Sequence, residues 1–322
     1  MKVYDAKWRV FTKWCAAHGQ RPLEISIQKL ADFFLFLRSE KGLSPITIKG
    51  YRSMLSNTLR HYGRHDIGTD ASLSDLLANI ARTHPVHRSL VPRWNLPWVL
   101  TWLSSGKFEP LPLAPLNLLT KKTVFLLALA SASRVSELHA LSCEDSCLQF
   151  RQDGSVSLTT APGFVAKNRL PSVGNQSITI PSLQAADRSR AGKLHDPVRA
   201  LRVYLRRTRP FRRGRSRLFL PLRQAQEDIT AQTVSSWIRW VVKNAYADLA
   251  PDRASRLHIK AHEVRAVATS TALDRNCALR DIIGAVGWRS DSTFAASYLR
   301  DLSSQRASLD LLGPVVAAQQ IV

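Results

Sequence analysis

Residues 260–300 read KAHEVRAVATSTALDRNCALRDIIGAVGWRSDSTFAASYLR, and the rest of the chain is organised around them. The stretch holds His262-x-x-Arg265, then Gly287-Trp288, then Tyr298. A His and an Arg three residues apart share one face of a helix, so both side chains can meet one phosphate. Tyr298 is the only tyrosine after Tyr246, and no histidine follows His262. Far upstream, in SASRVSELHAL, Arg134 stands three residues before an acidic partner, Glu137. Two arginines, a histidine and a tyrosine suit attack of a phenol on a phosphodiester. The arginines would hold the charge that develops on the phosphate oxygens.

This ordered set resembles the tyrosine recombinases, the phage-type integrases. Their first signature is an arginine opening a short helix with Glu or Asp three residues on, and Arg134-Val135-Ser136-Glu137-Leu138 matches it. Their second is His-x-x-Arg, then Gly-His or Gly-Trp, then the nucleophilic tyrosine. His262, Arg265, Gly287-Trp288 and Tyr298 follow in that order. HxxR alone is a weak motif; the ordered set from Arg134 to Tyr298 is a strong one. The wording of several stretches is most similar to recombinases of DIRS-type retroelements and the related Crypton elements. The resemblance implies a mainly α chain: an N-terminal helical (SAM-like) core-binding bundle over residues 1–92, and an α+β catalytic domain with a small antiparallel sheet over residues 93–322. It also implies a C-shaped clamp on DNA, and a C-terminal helix that docks into a neighbouring subunit. Three local departures stand out. Ala132-Ser133 replaces the glycine usual before the arginine, Trp288 stands where many members have a second histidine, and the interval from Trp288 to Tyr298 is one residue longer than the commoner one.

Composition points the same way. The chain has 322 residues, enough for two domains with their own cores, and 45% apolar residues, so it is globular. With 46 Lys+Arg against 24 Asp+Glu, the net charge of +22 favours a polyanionic partner, DNA or RNA by default. The four cysteines, Cys15, Cys143, Cys147 and Cys277, include no second close pair, so they read as reduced thiols rather than a zinc site. The N-terminus MKVYDAKWRVF lacks a signal-peptide core, and the longest apolar run, Val124 to Ala130, is too short to span a bilayer. An intracellular protein is expected, nuclear if the cell is eukaryotic.

From the N-terminus, Tyr4, Trp8, Phe11 and Cys15 fall on one helical face, and residues 26–40 read as a more buried helix. Ser44-Pro45 caps a third, with Ile48, Tyr51, Leu55, Leu59 and Tyr62 on one stripe. Lys49, Ser53, Ser56 and Arg60 fall on the far side. By itself this is a solvated face; beside a recombinase-like catalytic region, Lys49 and Arg60 become candidate DNA contacts. Residues 84–97, HPVHRSLVPRWNLP, have the composition of a linker. Trp94 and Trp98 read as packing residues.

A helix over 118–130, apolar almost all round, is expected at the centre of the catalytic domain. In SASRVSELHAL, Ser131 or Ser133 is expected to cap the helix that Arg134 opens. Residues 155–181 switch to strand chemistry. The resemblance places a catalytic lysine in a small sheet here, and Lys167, the only lysine between Lys122 and Lys193, is the candidate. An exposed hairpin lysine is the alternative. Asp196-Pro197 caps the next helix. From Arg199 to Arg223 there are ten arginines and no acid. Val198, Leu201 and Leu205 keep a face for the core, and Arg206, Arg207, Arg212 and Arg213 are expected to track phosphates. Trp237, Ile238 and Trp240 to Val242 mark another buried helix.

The resemblance assigns roles. Tyr298 is the nucleophile. Arg134 and Arg265 bind the non-bridging oxygens. Lys167 protonates the leaving 5′-oxygen. His262 assists at the tyrosine or binds the phosphate, Trp288 donates one hydrogen bond, and Glu137 orients the arginine-bearing helix. No metal, no small-molecule cofactor and no membrane are expected. The partner would be double-stranded DNA, met by a homotetramer on paired sites. The rivals are a type IB topoisomerase-like enzyme and a non-catalytic DNA-binding protein derived from a recombinase.

Overall fold

The computed structural model describes residues 2–85, 89–166, 177–186, 188–222, 227–255, 257–288 and 290–302. The chain divides into two compact units, Met1–Ser89 and Leu90–Val322.

The first unit is a helical bundle. Its elements are α1 (Lys2–Ala17), α2 (Ile27–Ser39), α3 (Pro45–Arg60), a 3-10 turn (Asp66–Gly68) and α4 (Ala71–Thr83). Ser26 and Ser44 cap α2 and α3 through hydroxyls that accept from Lys29 and Thr47 N–H. Phe11, Trp14, Leu30, Phe33, Phe34, Tyr51, Met54 and Leu55 close the core. Burial of each such side chain contributes about 1.5–3 kcal/mol. Two residues leave their expected stripes. Tyr4 is exposed, with its hydroxyl accepting from Asn57 (3.1 Å). Tyr62 lies past the end of α3 and is exposed. Helix α4 went unread in the sequence, although Asp70 caps it and Leu73, Leu77 and Ile80 repeat at helical spacing. Arg52 ties α3 to it, donating to the carbonyls of Ile67, Gly68 and Asp70 and to Ser74 Oγ.

The second unit opens on α5 (Leu96–Leu103), capped by Asn95, followed by α6 (Leu116–Ser131) and α7 (Val135–Ala140). A three-stranded antiparallel sheet follows, β1 (Leu148–Phe150), β2 (Val156–Leu158) and β3 (Ile178–Ile180), in that spatial order. Leu148 pairs with Leu158, and Val156 with Ile180. Then come α8 (Leu183–Ala186), α9 (Arg190–Leu194), α10 (Pro197–Thr208), α11 (Ala231–Leu249), α12 (Pro251–Ala254), α13 (Glu263–Asp274), α14 (Leu279–Val286) and α15 (Asp291–Ser297). Among the described residues no helix is long and apolar enough to cross a membrane. All four cysteines are unpaired thiols; burial pushes Cys15 up to about 11.

Helix α6 is buried from Leu119 to Ala128, and Trp94, Trp102, Leu201, Tyr204, Trp237 and Val241 belong to the core around it. Even Lys122 is fully buried, donating to Leu103 O and Glu109 Oε1 (both 2.8 Å). Arg199 grips the same carboxylate with both guanidinium nitrogens (3.0 and 2.7 Å). Burial alone would raise Glu109; the two cations hold it down to about 2 instead. Trp94 is buried in this core, so the second half of the linker-like segment belongs to the second unit.

Candidate active site

Helix α6 ends at Ala132, which adopts a left-handed conformation (φ 46°) that costs a side-chain-bearing residue about 1–2 kcal/mol. The expectation that Ser131 or Ser133 caps α7 is corrected here. Ser131 Oγ donates back to Leu127 O (2.6 Å) and accepts from Ser133 N (3.2 Å), closing α6 rather than opening α7. Arg134 is itself the N-cap residue of α7, and Glu137 reaches back to it. One Glu137 oxygen accepts the Arg134 backbone N–H and the other its Nη1, both at 2.8 Å.

Glu137 also holds the second arginine. Arg265, in the first turn of α13, is 2% exposed, and its Nη1 lies 3.7 Å from Glu137 Oε2. A single carboxylate therefore brackets two guanidinium groups, leaving one net positive charge among the three. Arg265 Nη2 donates to Val286 O (3.1 Å). Its Nε and Nη1 are buried without a hydrogen-bond partner among the described residues. Each buried donor left unsatisfied costs about 1–3 kcal/mol, a cost that an entering anion would relieve. Burial first, then the charge of Arg134, lowers the Arg265 pKa to about 10, so it stays cationic at neutral pH.

Tyr298 ends α15 and is 8% exposed. Its ring centroid lies 4.5 Å from that of Trp288 and 5.1 Å from that of His262, and the Arg265 guanidinium sits 5.3 Å above it. Trp288 follows Gly287, whose left-handed conformation (φ 68°) ends α14 and turns the chain back. The Trp288 indole N–H is buried and has no partner among the described residues. His262 occupies the N-cap position of α13 without a side-chain capping bond, and the residue is exposed. Partial burial of its ring, with Arg265 and Arg134 nearby, pushes its pKa below the ordinary value.

The fold thus brings together Arg134, Glu137, His262, Arg265, Trp288 and Tyr298, drawn from α7, α13, the turn after α14 and the end of α15. Lys167 lies outside the described residues, as does the tail after residue 302. Lys49 and Arg60 are exposed on α3 of the first unit. The arginine-rich run divides, which corrects the expectation of one outward, phosphate-tracking set. Arg212 donates to Arg217 O, Leu218 O, Thr208 Oγ1 and Cys143 Sγ, and Arg207 donates to Ala114 O. These two side chains brace the fold. Arg206 and Arg213 are exposed and hold no ion pair among the described residues. Sequence reasoning missed Ser270, a buried hydroxyl on α13 that bonds to Tyr298 O and Arg300 N. Its spacing of eight from His262 was the available signal.

No protein-family model matches the sequence, and no curated protein matches it. Solved structures do match the fold. One is the XerH site-specific recombinase bound to its difH substrate, at TM-score 0.52 and 14% identity over 94% of this chain and 76% of that one. Another is the Tn1549 transposon integrase in complex with circular intermediate DNA, at TM-score 0.52 and 16% identity over 89% of this chain and 85% of that one. What is shared is the fold, which in this chain is mainly α with a small antiparallel sheet.

Proposed function

We propose, for a chain that carries the tyrosine-recombinase fold, that it is a site-specific DNA recombinase working through a 3′-phosphotyrosine intermediate. The observation that carries this reading is the Tyr298 ring packed among His262, Trp288 and Arg265, with unsatisfied Arg265 donors beside it. Tyr298 Oη attacks the phosphorus, the P–O5′ bond breaks, and the 5′-oxygen takes a proton from Lys167. The phenol proton passes to His262 or to water. Arg134, Arg265 and the Trp288 indole hold the non-bridging oxygens, where preorganised donors act most strongly. A 5′-hydroxyl from a second strand then attacks the phosphotyrosine and reseals the DNA. Double-stranded DNA is the partner, taken up by a homotetramer on paired sites, and integration of a mobile element of the DIRS or Crypton kind is the setting.

The deciding experiment is incubation with a nicked suicide duplex followed by denaturing electrophoresis. A covalent protein–DNA adduct that forms equally in EDTA is expected, because arginines supply the positive charge at the phosphate. An absence of adduct on any duplex, with DNA binding intact, would point to a non-catalytic DNA-binding protein.

The lowered pKa of His262 sets a pH dependence. A neutral imidazole persists to lower pH than usual, so cleavage should hold from pH 8 down past the ordinary imidazole value of about 6.5. A rate that already falls between pH 8 and 7 would remove His262 as a neutral proton acceptor. The divided arginine run makes a further prediction. Replacing exposed Arg206 and Arg213 with Gln should lower the slope of log K against log salt by up to about 1.8, at about 0.9 per phosphate contact. Arg212→Gln should instead destabilise the fold, by up to about 1–3 kcal/mol, because it removes the donor from the half-buried carbonyls of Arg217 and Leu218. Salt titrations and thermal melts of both variants separate the two roles.

A further inference from the structure

Helix α13 carries three hydroxyl side chains in a row, and they behave differently. Thr269 Oγ1 folds back onto its own helix, donating to Arg265 O (2.9 Å) and Ala266 O (3.2 Å). Thr271 Oγ1 does the same to Val267 O (2.8 Å). Such back-bonding is the ordinary fate of a hydroxyl inside a helix. Ser270 reaches out instead. Its Oγ donates to Tyr298 O (3.3 Å) and accepts from Arg300 N (2.8 Å), so one oxygen bridges the main chain on both sides of Leu299. Ser270 is 3% exposed, so water does not replace either bond when it is lost.

The placement gives those bonds a purpose. His262, Ala266 and Ser270 are spaced by four along α13, which stacks them on one face. His262 meets the Tyr298 ring, Ala266 shares a small apolar cluster with it, and Ser270 holds its backbone. Tyr298 itself ends the seven-residue helix α15, where carbonyls lack helical partners. A second tie follows at once, Asp301 N donating to Leu90 O (3.0 Å).

We propose that Ser270 is the positioning residue for the Tyr298 nucleophile, its hydroxyl fixing the main chain from Tyr298 to Arg300 so that the phenol meets the phosphate in line. The proposal rests on the reading of Tyr298 as the nucleophile. In-line attack needs the reacting atoms about 3–3.5 Å apart, and a shift near 1 Å costs about 100-fold in rate.

The test compares Ser270→Ala and Ser270→Thr with the parent in the full chain. Cleavage rate, duplex affinity and melting temperature are measured on a nicked duplex with either an ordinary 5′-oxygen or a 5′-bridging sulfur at the scissile phosphate. A thiolate leaves without a proton, so sulfur bypasses a leaving-group defect but not a misplaced phenol. Ser270→Ala should cleave about 100-fold more slowly on both duplexes, with affinity unchanged and the melting temperature lowered by no more than a few degrees. Ser270→Thr, which keeps a hydroxyl on Cβ, should recover most of the rate. Parental cleavage by Ser270→Ala overturns the proposal. So does rescue of that variant by sulfur, a Thr variant as slow as the Ala variant, or a joint fall of rate, affinity and melting temperature. If the parent forms no adduct on either duplex, the reading of Tyr298 fails first, and the proposal falls with it.

Discussion

Tyr298→Phe binds duplex DNA as the parent does and forms no covalent adduct. Only one oxygen is removed, and the ring keeps its tilted contacts with Trp288 and His262, at centroid distances of 4.5 and 5.1 Å. The Ser270 bond is to the Tyr298 backbone carbonyl, so the substitution leaves it in place. The small cluster of Ile282, Trp288 and Phe294 around the ring therefore stays packed. No phenol follows Tyr246 except this one, so no neighbouring tyrosine takes over. A nicked suicide duplex run on a denaturing gel reads the result. An adduct that persists in the Phe variant assigns the nucleophile elsewhere.

Arg265→Ala lowers cleavage by about two to three orders of magnitude, the usual cost of losing a preorganised donor to a developing oxyanion, and Arg134→Ala does the same. The two arginines differ in surroundings. Arg265 is almost wholly buried, held by Val286 O and bracketed by Glu137, while Arg134 is partly open at the start of α7. Two of the three guanidinium nitrogens of this buried cation have no hydrogen-bond partner among the described residues, so it should contribute little to stability and Arg265→Ala should melt within a few degrees of the parent. Arg265→Lys should not recover the rate, because a point charge cannot reproduce a planar fork between Glu137 and a phosphate. Single-turnover cleavage with a parallel melt checks both halves. Cleavage within a few fold of the parent removes that arginine from the site.

The side chains that the fold brings together were legible in the sequence because they stand at fixed order and spacing. HxxR needs only one helical turn to bring its two groups together, and Glu137 reads as the partner of Arg134 from a spacing of three. The ion pair of Glu137 with Arg265, at 3.7 Å, joins residues 128 apart and has no local signature. Ala132 was opaque for a related reason: a left-handed residue is signalled by glycine, and here tertiary packing imposes it on alanine. The arginine run misled because charge alone does not tell which donors find carbonyls. Arg212 and Arg213 are adjacent in sequence, yet one is spent inside the fold and the other faces water. Helix α4 was readable from Asp70 and its leucines. It escaped because the polar residues between them dilute the stripe.

The tyrosine stands on a core of its own. Ala266, Ile282, Trp288, Phe294 and Tyr298 form a cluster separate from the large one that holds α6, α10 and α11, and α13 contributes to both. Arg134 and Glu137 open α7, whose Leu138 belongs to the large core. A handful of apolar side chains stabilises far less than a whole domain interior, so the two cores have different melting limits. On heating, Tyr298 should part from Arg134 and Glu137 while the remainder of the domain is still folded. Thermal inactivation should then precede the main unfolding transition and reverse on cooling. The working temperature of the protein would be set by this small cluster rather than by the stability of the fold.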